Sequence, residues 1–231
     1  NQAGTYYVTA TNNSTGCSNV ASVTVSVNAK PTISIAGTTA FCEGGSTILT
    51  ANTDELNTYT WSTGVSNAPL TVSTAGTYTI TATNVNGCSQ TASTNVTMYT
   101  KPNPTISGVE AICPGSSATL TADLHHHYNW STGDTTRSIN VTPTANTTYS
   151  LTVTDAHGCQ SQTSSAIAIN PTPVLQITGN LAFCEGSTTE LTATPGYTYI
   201  WSNTNTSQSI TVNQAGTYTV TATNASTGCS N

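Results

Sequence analysis

The feature that most limits how this chain can fold is a register that returns every 71 residues. Cys42, Cys113 and Cys184 lie 71 apart, as do Pro31, Pro102 and Pro173. Cys17, Cys88, Cys159 and Cys229 follow at 71, 71 and 70, and Trp61, Trp130 and Trp201 at 69 and 71. A fixed period of this size means tandem copies of one small unit, stacked along the chain. The period divides the sequence into four segments. Residues 1-30 are the C-terminal part of a preceding repeat. Residues 31-101 and 102-172 are whole repeats, here called one and two. Residues 173-231 form repeat three, which lacks its last strand. The two ends share a phase: Asn1 to Asn19 reads NQAGTYYVTATNNSTGCSN and Asn213 to Asn231 reads NQAGTYTVTATNASTGCSN. The expectation is a window of a longer protein, so the lack of a signal peptide says nothing.

Within a repeat the apolar residues alternate with threonines. Tyr78, Ile80 and Ala82 alternate with Thr77, Thr79, Thr81 and Thr83. Period-two alternation marks strands with one buried face. In repeat one it predicts strands at Thr32–Ala36, Ser46–Ala51, Thr58–Ser62, Pro69–Ser73, Thr77–Asn84 and Thr91–Met98. Ala40–Gly45 (AFCEGG) reads as a turn region and Asn84–Gly87 as a hairpin turn. No segment has a helical period. The fold class is therefore all-β: tandem antiparallel β-sandwich, immunoglobulin-like repeats of about 71 residues.

Charge removes whole classes of function. Three Lys+Arg stand against nine Asp+Glu, for a net charge of −6. Three cations cannot neutralise a phosphate backbone, so no nucleic acid is expected as a partner. No apolar run is long enough to cross a bilayer as a helix, so no membrane insertion is expected in this segment.

The ordered motifs FCEGGSTILTA, YTWSTG and STAGTYTITATNVNGCS resemble the immunoglobulin-like or PKD-like repeats of large Bacteroidota surface proteins. Such repeats occur in gliding-motility adhesins and other type IX secretion cargo. Repeat two departs from the pattern, with Pro114 for the glutamate and PTANTTY for the AGTY motif. The resemblance implies an extracellular, cell-surface location and a role that is not enzymatic. In immunoglobulin-type folds a tryptophan on the third strand and a tyrosine at the start of the penultimate one are core features. Trp61, Trp130 and Trp201, with Tyr78, Tyr149 and Tyr218, take those places.

Secretion permits disulfides. One arrangement closes them within repeats, as Cys42–Cys88, Cys113–Cys159 and Cys184–Cys229. Strand direction favours another. The second and penultimate strands of such a sandwich run the same way, so Cys42 and Cys88 fall at opposite poles. A strand of eight residues separates them by about 26 Å, against the roughly 4.4–6.8 Å between Cα atoms that a disulfide needs. The pole carrying Cys42 faces the next repeat's entry pole, where Cys159 lies. Head-to-tail pairing gives Cys42–Cys159 and Cys113–Cys229, leaving Cys17, Cys88 and Cys184 to partners outside this window.

No catalytic constellation recurs between repeats, and the chain is read as no enzyme and as carrying no cofactor. Histidines occur only in repeat two. His125 or His127 in one loop, with Asp155 and His157 in another at the same pole, form the single candidate metal set; a solvated polar loop is the plainer account. The threonine rows read as a solvated strand face, with a ligand surface for ice or glycan as the alternative. Asp134-Thr135-Thr136 makes Thr135 a glycosylation candidate by resemblance to Bacteroidota O-glycan sites. The loop before the tryptophan strand varies, as Asp54-Glu55-Leu56, His125–His127 and Pro195-Gly196-Tyr197, which argues against one shared ligand. The expected partners are neighbouring repeats of the same chain, like chains in a fibre, and surface glycans. The functional expectation is a structural segment of a long extracellular filament or adhesin stalk. The alternatives are a glycan- or surface-binding repeat array, and spacer domains of a secreted polysaccharide-degrading enzyme.

Overall fold

The computed structural model describes residues 2–54 and 57–231. Of the varied loop in repeat one, Glu55 and Leu56 lie outside the described residues. Two compact units are present, Asn1–Thr100 and Lys101–Asn231. Every regular element among the described residues is a strand.

The first unit opens on an antiparallel hairpin of β1 (Gly4–Thr11) and β2 (Ser18–Val25), paired from Gly4 opposite Val25 to Thr11 opposite Ser18. Repeat one continues as β3 (Ile33–Ala36), β4 (Ala40–Cys42), β5 (Thr47–Thr53), β6 (Thr58–Trp61), β7 (Leu70–Val72), β8 (Gly76–Thr83) and β9 (Ser89–Tyr99). Two sheets form, in the orders β3-β5-β7 and β4-β9-β8-β6. Leu49, Leu70 and Val72 of one sheet and Trp61, Tyr78, Ile80 and Val96 of the other share one buried cluster. Alternation explains this directly. Along β8, Tyr78, Ile80 and Ala82 are buried while the threonines between them are not.

One local expectation is corrected. The segment AFCEGG is not all turn: Ala40–Cys42 is β4, and it pairs in parallel with β9, Phe41 opposite Met98. Three residues show no alternation worth reading, and their partner lies more than fifty positions downstream. The turn is confined to Glu43 and Gly44, and the Gly45 amide closes it by donating to the Cys42 carbonyl.

The second unit contains two sandwiches. Repeat two has β10 (Ile106–Ser107), β11 (Ala111–Ile112), β12 (Ala118–Ala122), β13 (His127–Trp130), β14 (Ser138–Val141), β15 (Thr147–Thr154) and β16 (Gln160–Ile169). Its sheets, β10-β12-β14 and β11-β16-β15-β13, repeat the order of repeat one. Repeat three has β17 (Ile177–Thr178), β18 (Thr189–Ala193), β19 (Thr198–Trp201), β20 (Ser209–Val212) and β21 (Val220–Thr223). Its sheets are β17-β18-β20 and β19-β21.

A glycine at the same phase shapes repeats one and three after their first strand. Gly37 and Gly179 have φ of 124° and 140°, and a Cβ there would stand 2.2 Å from the carbonyl oxygens of Ile48 and Glu190. Only glycine allows the first strand to turn away so close to the second.

Candidate functional site

The chemistry of this chain is concentrated at the repeat junction within the second unit. β11 runs parallel to the end of β16, and the Asn170 amide donates to the Ile112 carbonyl just past both. Cys113 therefore sits at the pole where the chain leaves repeat two. In repeat three, Asn224 closes the turn after β21: its carbonyl accepts the Gly228 amide at 2.8 Å, and its amide donates to the Cys229 carbonyl at 2.9 Å. Asn231 Nδ2 then donates to the Pro173 carbonyl at 3.1 Å, so Cys229 lies at the pole where the chain enters repeat three. The two poles meet, and Cys113 is bonded to Cys229 with 5.4 Å between Cα atoms. This bond excludes the within-repeat pairs Cys113–Cys159 and Cys184–Cys229. The third such pair, Cys42–Cys88, is excluded because Cys88 is a free thiol 3.8 Å from the Asn28 carbonyl. Strand direction is the physical reason: cysteines at opposite poles of one sandwich are a strand length apart. Cys17 and Cys184 are also free thiols, both exposed.

Each tryptophan is held twice, by burial and by one hydrogen bond. Trp61, Trp130 and Trp201 are 2%, 2% and 1% exposed. Their indole N–H groups donate to the carbonyls of Ala68, Thr136 and Ser207 at 3.1, 2.9 and 2.9 Å. A buried indole needs such a partner, and the loop before the next strand supplies it in every repeat. Tyr78 is buried and its hydroxyl donates to the Thr74 carbonyl at 2.9 Å. Tyr218 makes the same bond to Gln214 at 3.1 Å but is only half-buried. Tyr149 is buried in the core of repeat two.

A second set of tyrosines escaped the sequence reading. Tyr128 and Tyr199 stand two positions before the tryptophans. Their hydroxyls donate to the Asp123 and Thr194 carbonyls at 3.2 and 2.7 Å. Each also accepts a loop amide, His125 at 2.8 Å and Tyr197 at 3.3 Å. The spacing Tyr-x-Trp is the signal that could have found them.

The histidines are tied to separate neighbours. His125 Nε2 lies 2.9 Å from Asp123 Oδ1, which also accepts the Thr105 amide at 3.0 Å. That amide, against desolvation and with help from His125, holds the Asp123 carboxyl below its usual range. Asp155 is occupied as a turn cap, its Oδ1 accepting the amides of His157 and Cys159 at 2.8 Å each. Desolvation pushes its carboxyl up, and the Cys159 and His157 amides with the nearby His157 imidazole bring it below the usual value. His126 and His127 pack edge to face. Among the described residues no three of these side chains come together as metal ligands, and the set His125, His127, Asp155 and His157 is not assembled.

The threonine rows lie on the outer face of the sheet. Thr77 bonds Asn95 at 2.8 Å and Thr83 bonds Ser89 at 3.1 Å across β8 and β9. In repeat two Thr119 bonds Asn140 at 2.6 Å and Thr121 bonds Ser138 at 3.0 Å. These hydroxyls are used first as cross-strand pairs. Thr135 is exposed beside Asp134, whose carboxylate accepts the Thr132 hydroxyl at 2.6 Å.

No protein-family model matches the chain, and no curated protein matches it. Solved structures do. A bacterial ice-binding adhesin of 1.5 MDa, described for host cell surface retention, aligns at 13% identity and a TM-score of 0.36, covering 87% of this chain and 94% of its own. Murine CEACAM1b aligns at 14% identity and 0.33, covering 60% of this chain and 100% of its own. The SGBP-B protein of a Bacteroides ovatus mixed-linkage glucan utilization locus, solved with a heptasaccharide, aligns at 17% identity and 0.25, covering 87% and 66%.

Proposed function

We propose that this chain is a structural segment of a long extracellular stalk or filament that gives reach and stiffness at a bacterial cell surface. The observation that carries the reading is the Cys113–Cys229 bond between consecutive repeats. A bond inside a repeat would stabilise a bead; a bond across the junction removes the freedom of the linker. By the same phase we propose Cys42–Cys159 as the corresponding staple between repeats one and two. The sequence resemblance supports the finer assignment, a Bacteroidota surface protein exported by the type IX route and of the gliding-motility adhesin kind. The reading assigns no catalytic step and no cofactor. The hydroxyl-lined sheet faces, with few charges among them, support contact with surface glycans as a secondary role.

Single-molecule stretching tests this. The bond hides 116 positions from extension. At roughly 3.3–3.6 Å per residue, reduction releases about 400 Å of contour length. In a Cys42→Ser, Cys159→Ser background, where the overlapping proposed staple cannot hold the same stretch, the unreduced protein should hold that length back, and adding Cys113→Ser and Cys229→Ser should release it without reductant. Equal extension before and after reduction would remove the basis for a load-bearing role. Non-reducing peptide mapping checks Cys42–Cys159 separately.

A further inference from the structure

The junction bond of the second unit spans more than one repeat. Cys113 and Cys229 are 116 positions apart, while the repeat returns every 71. Bonds set at this phase in consecutive repeats must therefore overlap. The stretches Cys42 to Cys159 and Cys113 to Cys229 share the 46 positions from Cys113 to Cys159, which carry β12 to β15 of repeat two. We propose that the two bonds form one graded, fail-safe length limiter, in which either bond alone holds back most of the hidden length. This rests on the Cys42–Cys159 staple proposed above.

The two pairs of cysteines have the same local setting. Cys42 ends β4 and Cys113 follows β11, the short strands that pair in parallel with β9 and β16. Each carbonyl accepts an amide of the turn that follows, from Gly45 at 2.8 Å and from Ser116 at 3.1 Å. Cys159 and Cys229 close the turn after the penultimate strand, and their carbonyls accept the Asp155 and Asn224 amides at 3.0 and 2.9 Å. Both are fully buried, whereas Cys42 and Cys113 are half-buried. All four are disulfide-bonded. Access helps to set the rate of thiol exchange, and on access neither bond is placed to open first.

Connectivity sets how far the ends can part. With both bonds closed, the taut covalent route from Cys42 to Cys229 crosses to Cys159, runs back to Cys113 and crosses again. It contains only the 46 shared positions. With Cys113–Cys229 open, the route runs forward from Cys159 to Cys229, 70 positions. With Cys42–Cys159 open, it runs from Cys42 to Cys113, 71 positions. With both open it is the whole 187 positions between Cys42 and Cys229. The first bond lost frees 24 or 25 positions, about 85 Å, and the second frees 117 or 116, about 400 Å. The order of loss scarcely matters, because each surviving route is one repeat long. Bonds confined to single repeats would behave otherwise, each freeing its own loop whatever the state of the other.

The gain for a stalk is tolerance of damage. One reduced junction leaves reach nearly unchanged, and only the loss of both lets the chain between them unravel. Each reduction breaks one S–S bond. Dithiothreitol supplies two electrons and two protons, closes to its own cyclic disulfide and leaves two cysteine thiols.

The test is stretching of the whole 231-residue chain at constant force, high enough to unfold the repeats, while dithiothreitol is added. Serine in place of the free thiols Cys17, Cys88 and Cys184 in every sample prevents exchange. The expected record is two steps per molecule, about 85 Å and then about 400 Å, in that order. Cys113→Ser with Cys229→Ser, and separately Cys42→Ser with Cys159→Ser, should each start about 85 Å longer and show only the large step. The chain with serine at all four positions should start longest and show no step. Two equal steps, or a large step first, would overturn the proposal. So would an immediate gain of about 400 Å from Cys113→Ser and Cys229→Ser alone, which marks a missing Cys42–Cys159 staple. These outcomes leave the load-bearing role standing. That role fails on a different result, an unreduced chain with all four cysteines that extends as far as the one with none of them.

Discussion

Repeats two and three have the same strand order up to one difference: repeat two has β16, and in repeat three no described residue takes its place. Three features change with it. Ala111–Ile112 is a strand in repeat two, while Leu181 to Phe183 is not, and Leu181 is 87% exposed. The penultimate strand runs eight residues as β15 but four as β21. Tyr149 is buried, while Tyr218 is half-buried. One feature does not change: Trp201 is as buried as Trp130. The half of the sandwich built on the tryptophan stands without the last strand. The other half, and the short parallel strand, exist only because that strand is there to pair with.

The staple should matter most, because it ties the weaker sandwich to the stronger one. A closed loop of 116 positions contributes about 5 kcal/mol through the unfolded chain's entropy. Replacing Cys113 and Cys229 by serine should lower the urea midpoint accordingly. Hydrogen exchange should then show β18 to β21 opening before β12 to β16. Simultaneous opening of both repeats would mean that their difference in packing has no energetic weight.

The next effect reads the core at one position in both repeats. Leu120 is fully buried and Leu191 is 6% exposed, lining an open groove of repeat three. Leu120→Ala should cost about 2–5 kcal/mol, the range for a buried cavity. Leu191→Ala should fall at or below the low end, since water already reaches its side. Equal losses by chemical denaturation would contradict the contrast. A smaller pair lies at the tyrosines. Tyr78→Phe removes a bond to the Thr74 carbonyl worth about 1 kcal/mol. Tyr218→Phe should cost less, because water can replace its partner.

Much of this was legible in the sequence, and the rest failed for physical reasons. The 71-residue period and the Thr-apolar alternation place β5 to β9 within about two residues, because both signals are local. β4 was hidden, since a three-residue strand has no pattern and its parallel partner is distant. Gly37 and Gly179 repeat at the period, but their need for positive φ follows from a carbonyl on another strand. At the site, the poles that the cysteines occupy follow from strand direction, which is readable. Tyr128 and Tyr199 as loop anchors were not, because their acceptors are main-chain carbonyls that carry no sequence signature.

The smallest expected effect compares the turn after β15 with its counterpart after β8. Asp155 caps the first, and Asn84 caps the second with the same two kinds of bond, to Asn86 and Cys88 at 3.1 and 3.0 Å. Only the aspartate titrates. In the folded chain its carboxyl lies below the ordinary aspartate value. A depressed carboxyl contributes stability that is present above the unfolded value and is lost as pH falls through the folded one. Asp155→Asn should therefore flatten part of the acid response of repeat two. Urea midpoints from about pH 5 down to about pH 2 should show the native chain falling relative to the variant only below an unfolded aspartate's value of about 3.9. Asp123, also depressed, is present in both proteins and cancels in the difference. A difference that opens above the unfolded value would assign the effect to another group, and parallel curves would mean that the charge adds nothing to the cap.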